Sequence, residues 1–393
     1  MANNFSSDIT DMDEAASALI RYARLATEAT SRFEDGVVDT GFESAVRAPL
    51  DKGEDAVIET ALNRLKEEES PAYEELLSMA EDCAQTRVDA KGVHLLVLIP
   101  IMCWSRYLIP HGKISNEALK ATAELFQKGW ATEKATVQIG DCLLSADHLP
   151  EGLADVRHLL DRLTKKTKTG IVDIAKVVTT TPPPDFADVR YLALGVSAPD
   201  TASLFHPLNQ SYEERARTVM DFCLGVREIL QNDFIGTMID VQPPASFFSG
   251  WRQADATMRI FAVRSLVDYV CCMGYSPADL IATTAVFTKM GGETHEGDGD
   301  EIRVSISVKD QPSKVVAGVV APSMPEDNDN NQTFIGAVLD NCRVGRIIPL
   351  TQTFPMEWCE ECGAPLYANP EGYVCHIEPP AGLDESKFAP TLN

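Results

Sequence analysis

Two cysteines near the C-terminus set the tightest limit on local structure in this chain. Cys359 and Cys362 are separated by two residues and followed by a glycine, a spacing that places both thiols on one turn where they can bind one metal ion. A Pro/Asn/Gly-rich hairpin then leads to Cys375 and His376. This pattern predicts a small zinc-ribbon-like hairpin over residues 353–380, in which a metal ion replaces a hydrophobic core too small to form by itself.

Zinc binds thiolate and imidazole ligands in a tetrahedron, and this hairpin offers both. We expect a structural Cys3His zinc site with no open position for a substrate, formed by Cys359, Cys362, Cys375 and His376. Neighbouring side chains on a strand point to opposite faces, so either the chain turns at the Cys–His pair or one of the two is not a ligand and is replaced, for example by Cys342. A metal-free hairpin with reduced thiols is the main alternative. A redox-active pair is less favoured because such pairs usually open a helix, whereas Gly363 and Pro365 indicate a loop.

The charge of the chain argues against a nucleic-acid partner. The 393 residues include 34 basic and 59 acidic side chains, which give a net charge of -25. Nonspecific binding to DNA or RNA requires Lys and Arg to displace counterions from phosphates. The predicted hairpin carries no Lys or Arg between Pro355 and Pro380, but five glutamates. We therefore expect no nucleic-acid partner.

The sequence predicts a cytoplasmic protein that does not cross a membrane. Residues 1–13 are polar and acidic and lack the basic and apolar regions of a secretory signal. The longest apolar run, Val93 to Trp104, is shorter than the roughly 20 residues that span a bilayer. Ten cysteines in a chain of this length, including the adjacent pair Cys271 and Cys272, are typical of reduced thiols in a cytosol.

Apolar spacing predicts a mixed α/β fold. The first ninety residues show helical periodicity, whereas Leu95 to Ile101 is a continuous apolar run typical of a buried strand. Residues 179–184, three threonines and three prolines, cannot continue a helix or an inner strand and indicate a linker. We predict N-terminal helices with a first α/β lobe (1–178), a linker (179–187), a second, related α/β lobe (188–352), the zinc-ribbon-like element (353–380) and a flexible tail (381–393).

The order of elements recurs after the linker. Val189–Val196, Tyr212–Leu230, Phe234–Val241 and Gly250–Cys272 repeat the strand–helix–strand–helix order of the first lobe. The dipeptides Ser145–Ala146 and Ala245–Ser246 follow the second strand of each unit, at positions that differ by one hundred. An ancient duplication explains this order, but crossover connections by themselves also favour it.

Several polar side chains follow predicted strands, where ligands usually bind in α/β sheets. In the first lobe these are Arg106, Tyr107, His111, Asp147 and His148, and in the second they are His206, Asp240 and Trp251. A His beside an Asp can act as a general base, although loop capping and surface polarity explain the same residues. The chain shows no phosphate-binding glycine loop with Lys–Ser/Thr, no Gly-x-Ser-x-Gly elbow and no His-Glu-x-x-His helix.

Three segments carry a family resemblance. The strand Leu95–Ile101, the segment Leu143–Pro150 and the tail Cys359–Tyr367 with its following His-x-Glu resemble a bacterial family of conserved hypothetical cytoplasmic proteins. The resemblance covers most of the chain. It implies no catalytic residue, cofactor or substrate, because the shared motifs are not diagnostic of any reaction.

From these observations we expect a protein that acts by binding, in a regulatory or adaptor role, with a protein partner of unknown identity and a structural zinc ion. The absence of nucleophile, phosphate and cofactor motifs, together with the acidic composition, supports this expectation. The alternative is an enzyme with its active site in the cleft between the two lobes. Its candidate residues are Arg106, His111, Asp147, His148 and His206.

Overall fold

The computed structural model describes residues 2–105, 109–174, 187–206, 211–288, 301–322, 331–361 and 363–378, without the side chains of residues 2–11, 322 and 331. Four packed helices come first, as the periodicity predicts: α1 (Ala2–Glu28), α2 (Arg32–Lys52), α3 (Asp55–Glu67) and α4 (Ala72–Gln85). The Ser31 hydroxyl accepts a hydrogen bond from the Glu34 amide at the start of α2, and Gly53 ends that helix in the left-handed region.

The next elements build a large mixed sheet with helices on both faces. In chain order they are β1 (Thr86–Asp89), β2 (Gly92–Trp104), β3 (Gly112–Lys113), α5 (Asn116–Gly129), β4 (Thr136–Gly140), β5 (Cys142–Leu143), α6 (Leu153–Leu163), β6 (Ile171–Val172), β7 (Ala187–Ala198), α7 (Tyr212–Leu230), β8 (Met238–Val241), β9 (Ala245–Ser246) and α8 (Phe247–Cys272). The sheet order is β1-β2-β7-β4-β6, with β8 and β9 also paired to β2. Strands β3 and β5 form a separate short ladder.

Strands β2 and β7 form the centre of this first sheet. They pair antiparallel from Val93–Ala198 to Trp104–Ala187. Alternate side chains of β2 enter two different cores, one with α1–α4, α6 and the start of α8, the other with α5 and α7. A strand covered on both faces has no polar face, which is why its sequence is a continuous apolar run.

The predicted boundary at residues 179–187 does not separate two sheets. Strand β7 lies after that boundary but pairs with β2 along its whole length, and β8 also pairs with β2. The first sheet therefore draws its strands from both predicted lobes. Local apolar spacing identified the strands but carries no information about which strands pair, since pairing is decided by contacts between distant segments. Of the predicted linker (179–187), residues 179–186 lie outside the described residues.

The repeated element order is present, but in an interlocked form. Strand β4 of the first unit pairs with β7, whereas β8 of the second unit pairs with β2. Helices α5 and α7 share one face of the sheet, and α6 and α8 share the other. The second strand of each unit thus pairs with the first strand of the other unit. This arrangement is expected from an approximate twofold axis between β2 and β7.

A second sheet lies at the far end of α8. Its strands and the following elements are β10 (Leu280–Thr288), β11 (Glu301–Val308), β12 (Ala317–Pro322), α9 (Asn331–Asn341), β13 (Arg346–Pro355), β14 (Tyr367–Ala368) and β15 (Val374–Cys375). The order is β12-β11-β10-β13, antiparallel except for the parallel β10–β13 pair. Helices α8 and α9 cover one face of this sheet. No helix in the described part of the chain is both long and apolar enough to cross a membrane.

Candidate functional site

The residues after β13 form the C-terminal element (residues 356–378), which packs on the face of the second sheet opposite α8. Strands β14 and β15 pair antiparallel, with Tyr367 opposite Cys375. The Tyr367 side chain is fully buried against Gly318 of β12. A Cβ atom at position 318 would lie 2.6 Å from the Tyr367 ring, so only glycine permits this approach.

A buried arginine joins the C-terminal element to the sheet. The Arg303 guanidinium forms an ion pair of 3.0 Å with Glu301 and donates hydrogen bonds to the carbonyl oxygens of Glu357 (2.9 Å) and Leu366 (2.6 Å). It also lies 4.4 Å from the ring centroid of Phe287 and 5.3 Å from that of Trp358. These contacts hold the chain on both sides of the turn that runs from Cys359 to Ala364, which we call the Cys359 turn. We refer to them as the Arg303 clamp.

The Cys359 turn has a defined backbone. The Cys359 amide donates to the carbonyl oxygen of Ala364 (2.7 Å), and the Gly363 amide donates to that of Cys359 (2.8 Å). Gly363 has φ +71°, a left-handed conformation that favours glycine. Cys362 lies outside the described residues.

The other predicted ligands have mixed properties. Burial raises the pKa of the Cys375 thiol and so disfavours the thiolate that zinc requires. The His376 Nδ1 lies 2.7 Å from the Ile377 carbonyl oxygen; if it donates there, the lone pair is on Nε2, as in many metal-binding histidines. Cys342, the substitute considered from sequence, packs in the core formed with α8, on the opposite face of the second sheet from the C-terminal element. Among the described residues no three His, Cys, Asp or Glu side chains are placed to hold a metal ion.

The predicted catalytic residues come together only in part. The rings of His111 and His148 lie 6.4 Å apart. The His148 Nδ1 accepts a hydrogen bond from the Ser145 amide (3.2 Å) and lies 3.0 Å from the Ser145 hydroxyl. These bonds close a cap on the short 3-10 helix Ala146–His148, so this buried Ser–His pair is a structural cap.

The other candidates are dispersed. His206 lines a cavity between α5 and α7. Asp240 of β8 is exposed and accepts a hydrogen bond from the Gln242 side chain. Trp251 lines a different cavity, described next, while Arg106 and Tyr107 lie outside the described residues. The described members of the predicted catalytic set therefore do not meet in one pocket.

The side chains that do converge line a cavity of about 290 Å³ between the two sheets, which we call the inter-sheet cleft. Its walls come from the start of β7, the middle of α8, strand β12 and the C-terminal element. The aromatic and charged residues among its lining are Asp188, Tyr191, Trp251, Asp255, Arg259, Glu301 and Tyr367. Sequence analysis identified only Trp251 among them, because the rest lie inside regular elements far apart in the chain.

Burial and charge shape the electrostatics of the inter-sheet cleft. Burial raises the pKa of the Tyr191 phenol, and the carboxylates of Asp188 and Asp255 raise it further, so Tyr191 stays neutral. Burial also lowers the pKa of Arg259, an effect that Asp255 opposes. Three carboxylate residues and Arg259 line the cleft, but Asp188 is ion-paired with Arg190 and Glu301 with Arg303, so Asp255 is the lining carboxylate without an ion pair among the described residues. The aromatic walls beside this carboxylate can accommodate a compact ligand with one positive charge.

Comparison with known proteins places the chain in a family. Residues 6–389 match the model of the family described as Protein of unknown function (DUF2863), and the chain belongs to this family. No curated protein and no solved structure matches the chain.

Proposed function

We propose that this protein acts by binding a small organic cation in the inter-sheet cleft. The observation that carries the proposal is the convergence of segments distant in sequence on one cavity lined by three aromatic and three carboxylate side chains. Sites for small molecules usually combine apolar walls with a few convergent polar groups. A volume of about 290 Å³ favours a compact ligand over a nucleotide.

The charged groups predict the orientation of the ligand in the inter-sheet cleft. Asp255 lies on α8 and is exposed, and its charge interacts with that of Arg259 one helical turn later; its exposed carboxylate can also pair with an ammonium or guanidinium group. Trp251, one helical turn earlier on the same helix, offers an aromatic face to the cation. Glu301 is held by Arg303 and contributes negative potential rather than a flexible contact.

A titration of the full-length protein tests this function. We expect isothermal calorimetry to detect binding of phenethylamine or agmatine, but not of the uncharged 2-phenylethanol. Asp255→Asn should weaken amine binding about tenfold, the effect of losing one partly desolvated charge pair of about 1.4 kcal/mol. Asp268→Asn is the matched control, since Asp268 lies on α8 outside the cleft.

Two results would contradict the proposal. One is an absence of binding by every amine, and the other is equal loss of binding in the Asp255 and Asp268 variants. We propose a regulatory or adaptor role for the same site: Pro365 and Tyr367 of the C-terminal element form part of the cleft wall, so a bound ligand would contact this element. Co-purification from native cells should then recover a stoichiometric protein partner, and repeated failure to find one would count against this role.

We further propose that a structural zinc ion stabilises the Cys359 turn, bound by Cys359, Cys362 and one or both of Cys375 and His376. The turn geometry and its left-handed glycine support the first two ligands. Because the Arg303 clamp and Tyr367 hold the rest of the C-terminal element, loss of zinc should loosen the turn without releasing β14.

Elemental analysis of the untagged protein tests the metal proposal. We expect about one zinc per chain, as for a single closed site. Cys359→Ser should lose the metal and gain protease cleavage near residue 360 while Tyr367 stays protected. Cys223→Ser, on α7 in the other half of the molecule, should retain the metal. Stoichiometric zinc in the Cys359 variant would overturn the assignment.

A further inference from the structure

A second cavity lies on the opposite side of the first sheet from the inter-sheet cleft. It occupies about 410 Å³ between α5, α7 and the sheet, and we call it the α5–α7 cavity. Its walls are apolar and come from Leu95, Val97, Phe126, Trp130, Phe205, Val219 and Pro244. The cavity shares no lining residue with the inter-sheet cleft and so carries an independent inference.

The polar groups at this cavity can all donate hydrogen bonds. Arg215 supplies a guanidinium, His206 an imidazole, and Thr218 and Ser246 supply hydroxyls. No aspartate or glutamate is among the described residues that line the cavity, although the chain has 59 acidic residues. In a strongly acidic protein, a cavity with basic groups and without carboxylates is a local site where an anion is not repelled.

Arg215 lies near the N-terminal end of α7. Ser211 caps the start of α7 by accepting a hydrogen bond from the Glu214 amide, and Arg215 follows in the first turn of that helix. Arg215 is exposed and lines the cavity, so its guanidinium can reach a ligand at the cavity mouth. A guanidinium binds a carboxylate through two parallel hydrogen bonds, which favours a carboxylate over a neutral polar group.

The aromatic side chains define the other end of the site. Trp130 packs against Phe126 and Phe222, with ring centroids 5.9 Å and 4.7 Å apart. Phe126 is buried, so this aromatic wall is rigid and preformed. A flat or branched apolar group can pack on it without displacing a protein side chain. The volume lies within the range of roughly 300–1,000 Å³ typical of small-molecule sites.

We propose that the α5–α7 cavity binds a small monocarboxylate with an aromatic or branched aliphatic body. The apolar body packs on Val97, Phe126 and Trp130, and the carboxylate lies at the mouth beside Arg215 and His206. The ligand is thus opposite in charge to the one proposed for the inter-sheet cleft. The protein would hold two different small molecules on the two faces of its first sheet.

Calorimetry and tryptophan fluorescence of the full-length protein test this site with 3-phenylpropionate and its neutral amide. We expect the carboxylate to bind and to change Trp130 fluorescence, and the amide to bind at least tenfold more weakly. Arg215→Gln should weaken carboxylate binding at least fivefold. Arg217→Gln is the matched control, because Arg217 is exposed on the same helix but does not line the cavity.

A steric variant separates this cavity from other sites. Gly129 lines the cavity, and a Cβ there would meet only the Thr218 methyl carbon at 3.7 Å, so Gly129→Leu fills the space without a backbone clash. We expect this variant to lose carboxylate binding and to keep amine binding in the inter-sheet cleft. Equal binding by the Arg215 and Arg217 variants, equal affinity for the amide, or unchanged binding in Gly129→Leu would each overturn the proposal.

Discussion

At the scale of single residues, Arg303 shows how one buried charge can organise a segment that has almost no core of its own. Its side chain is fully buried. The guanidinium contacts the Glu301 carboxylate, two carbonyl oxygens and two aromatic rings. A buried charge is tolerated only when it is paired in this way. The Arg303 clamp therefore fixes the position of the C-terminal element through contacts that do not involve a metal ion.

Replacement of this arginine should be costly. Arg303→Met leaves Glu301 and the two carbonyl oxygens without their donor, and we expect the free energy of unfolding to fall by about 3–5 kcal/mol. Urea unfolding measures this loss, and chymotrypsin should cleave the variant near Trp358. Arg346→Met, on the exposed edge strand β13, should change stability by less than about 0.5 kcal/mol. Similar losses in both variants would contradict the role of the clamp.

A buried histidine should make stability depend on pH. Burial and the charge of Arg87 lower the pKa of His94, although Asp89 partly offsets them, and the His94 Nδ1 lies 2.8 Å from the Ser197 hydroxyl. The unfolded chain then binds a proton more readily than the native one below about pH 6.5. The stabilising contribution is present above that pH and is lost as the pH falls through it.

We expect urea unfolding between pH 7 and pH 5 to show decreasing stability, with a smaller slope in His94→Gln. This window lies above the range in which carboxylates titrate, so histidines dominate it. His158→Gln, which replaces an exposed histidine on α6, is the matched control. An identical slope in wild type and His94→Gln would contradict this role of His94.

At the scale of elements, glycines decide how closely α6 can approach the first sheet. A Cβ on Gly195 of β7 would lie 2.6 Å from the carbonyl oxygen of Leu163, the last residue of α6. The Gln138 side chain donates a hydrogen bond to this same oxygen (2.7 Å). Helix and strand thus meet through backbone, an approach that any side chain at position 195 prevents.

Two glycine variants should move stability in opposite directions. Gly195→Ala forces backbone apart and should lower the free energy of unfolding by about 1–3 kcal/mol. Gly36→Ala, in the second turn of α2 with no atom within 4 Å of the new Cβ, should raise it by about 0.5–1 kcal/mol. Thermal unfolding of both variants checks this difference. A neutral result for Gly195→Ala would mean that α6 can shift without cost.

Sequence analysis was most accurate for the individual helices and strands. The predicted strands at Leu95–Ile101 and Val189–Val196 and the helix at Tyr212–Leu230 are confirmed, because each is a long segment with a single strong apolar pattern. The Arg303 clamp was missed. Its one sequence signal is a strand in which Arg303, Ser305 and Ser307 alternate with apolar residues, and this pattern normally indicates a solvent-facing side.

At the scale of the whole molecule, α8 connects two hydrophobic cores. Phe247, Phe248 and Ala254 belong to the core of the first sheet, whereas Val263 and Leu266 pack on the second sheet. A continuous helix transmits unfolding of one core to the other, since losing either core removes part of the packing that stabilises the helix. We therefore expect the two sheets to unfold together.

Hydrogen exchange across a urea series measures this coupling. Peptides from β2 and β10 should lose protection at the same urea concentration in the wild type. Thr257→Pro breaks α8 between the two cores, at a cost of about 3 kcal/mol or more, and should separate the two transitions. Thr257→Ala is the control and should keep them coincident. Separate transitions already in the wild type would contradict the coupling.

The sequence by itself determined the mixed α/β class, the periodic helices and strands, the repeated element order and the Cys359 turn. These features follow from local apolar spacing and from single glycines, which act over a few residues. Only the tertiary structure decided that β7 and β8 join the sheet of β2, that Arg303 holds the C-terminal element, and which side chains line the two cavities. Strand pairing and cavity formation depend on contacts between segments far apart in the chain, and local spacing does not specify these contacts.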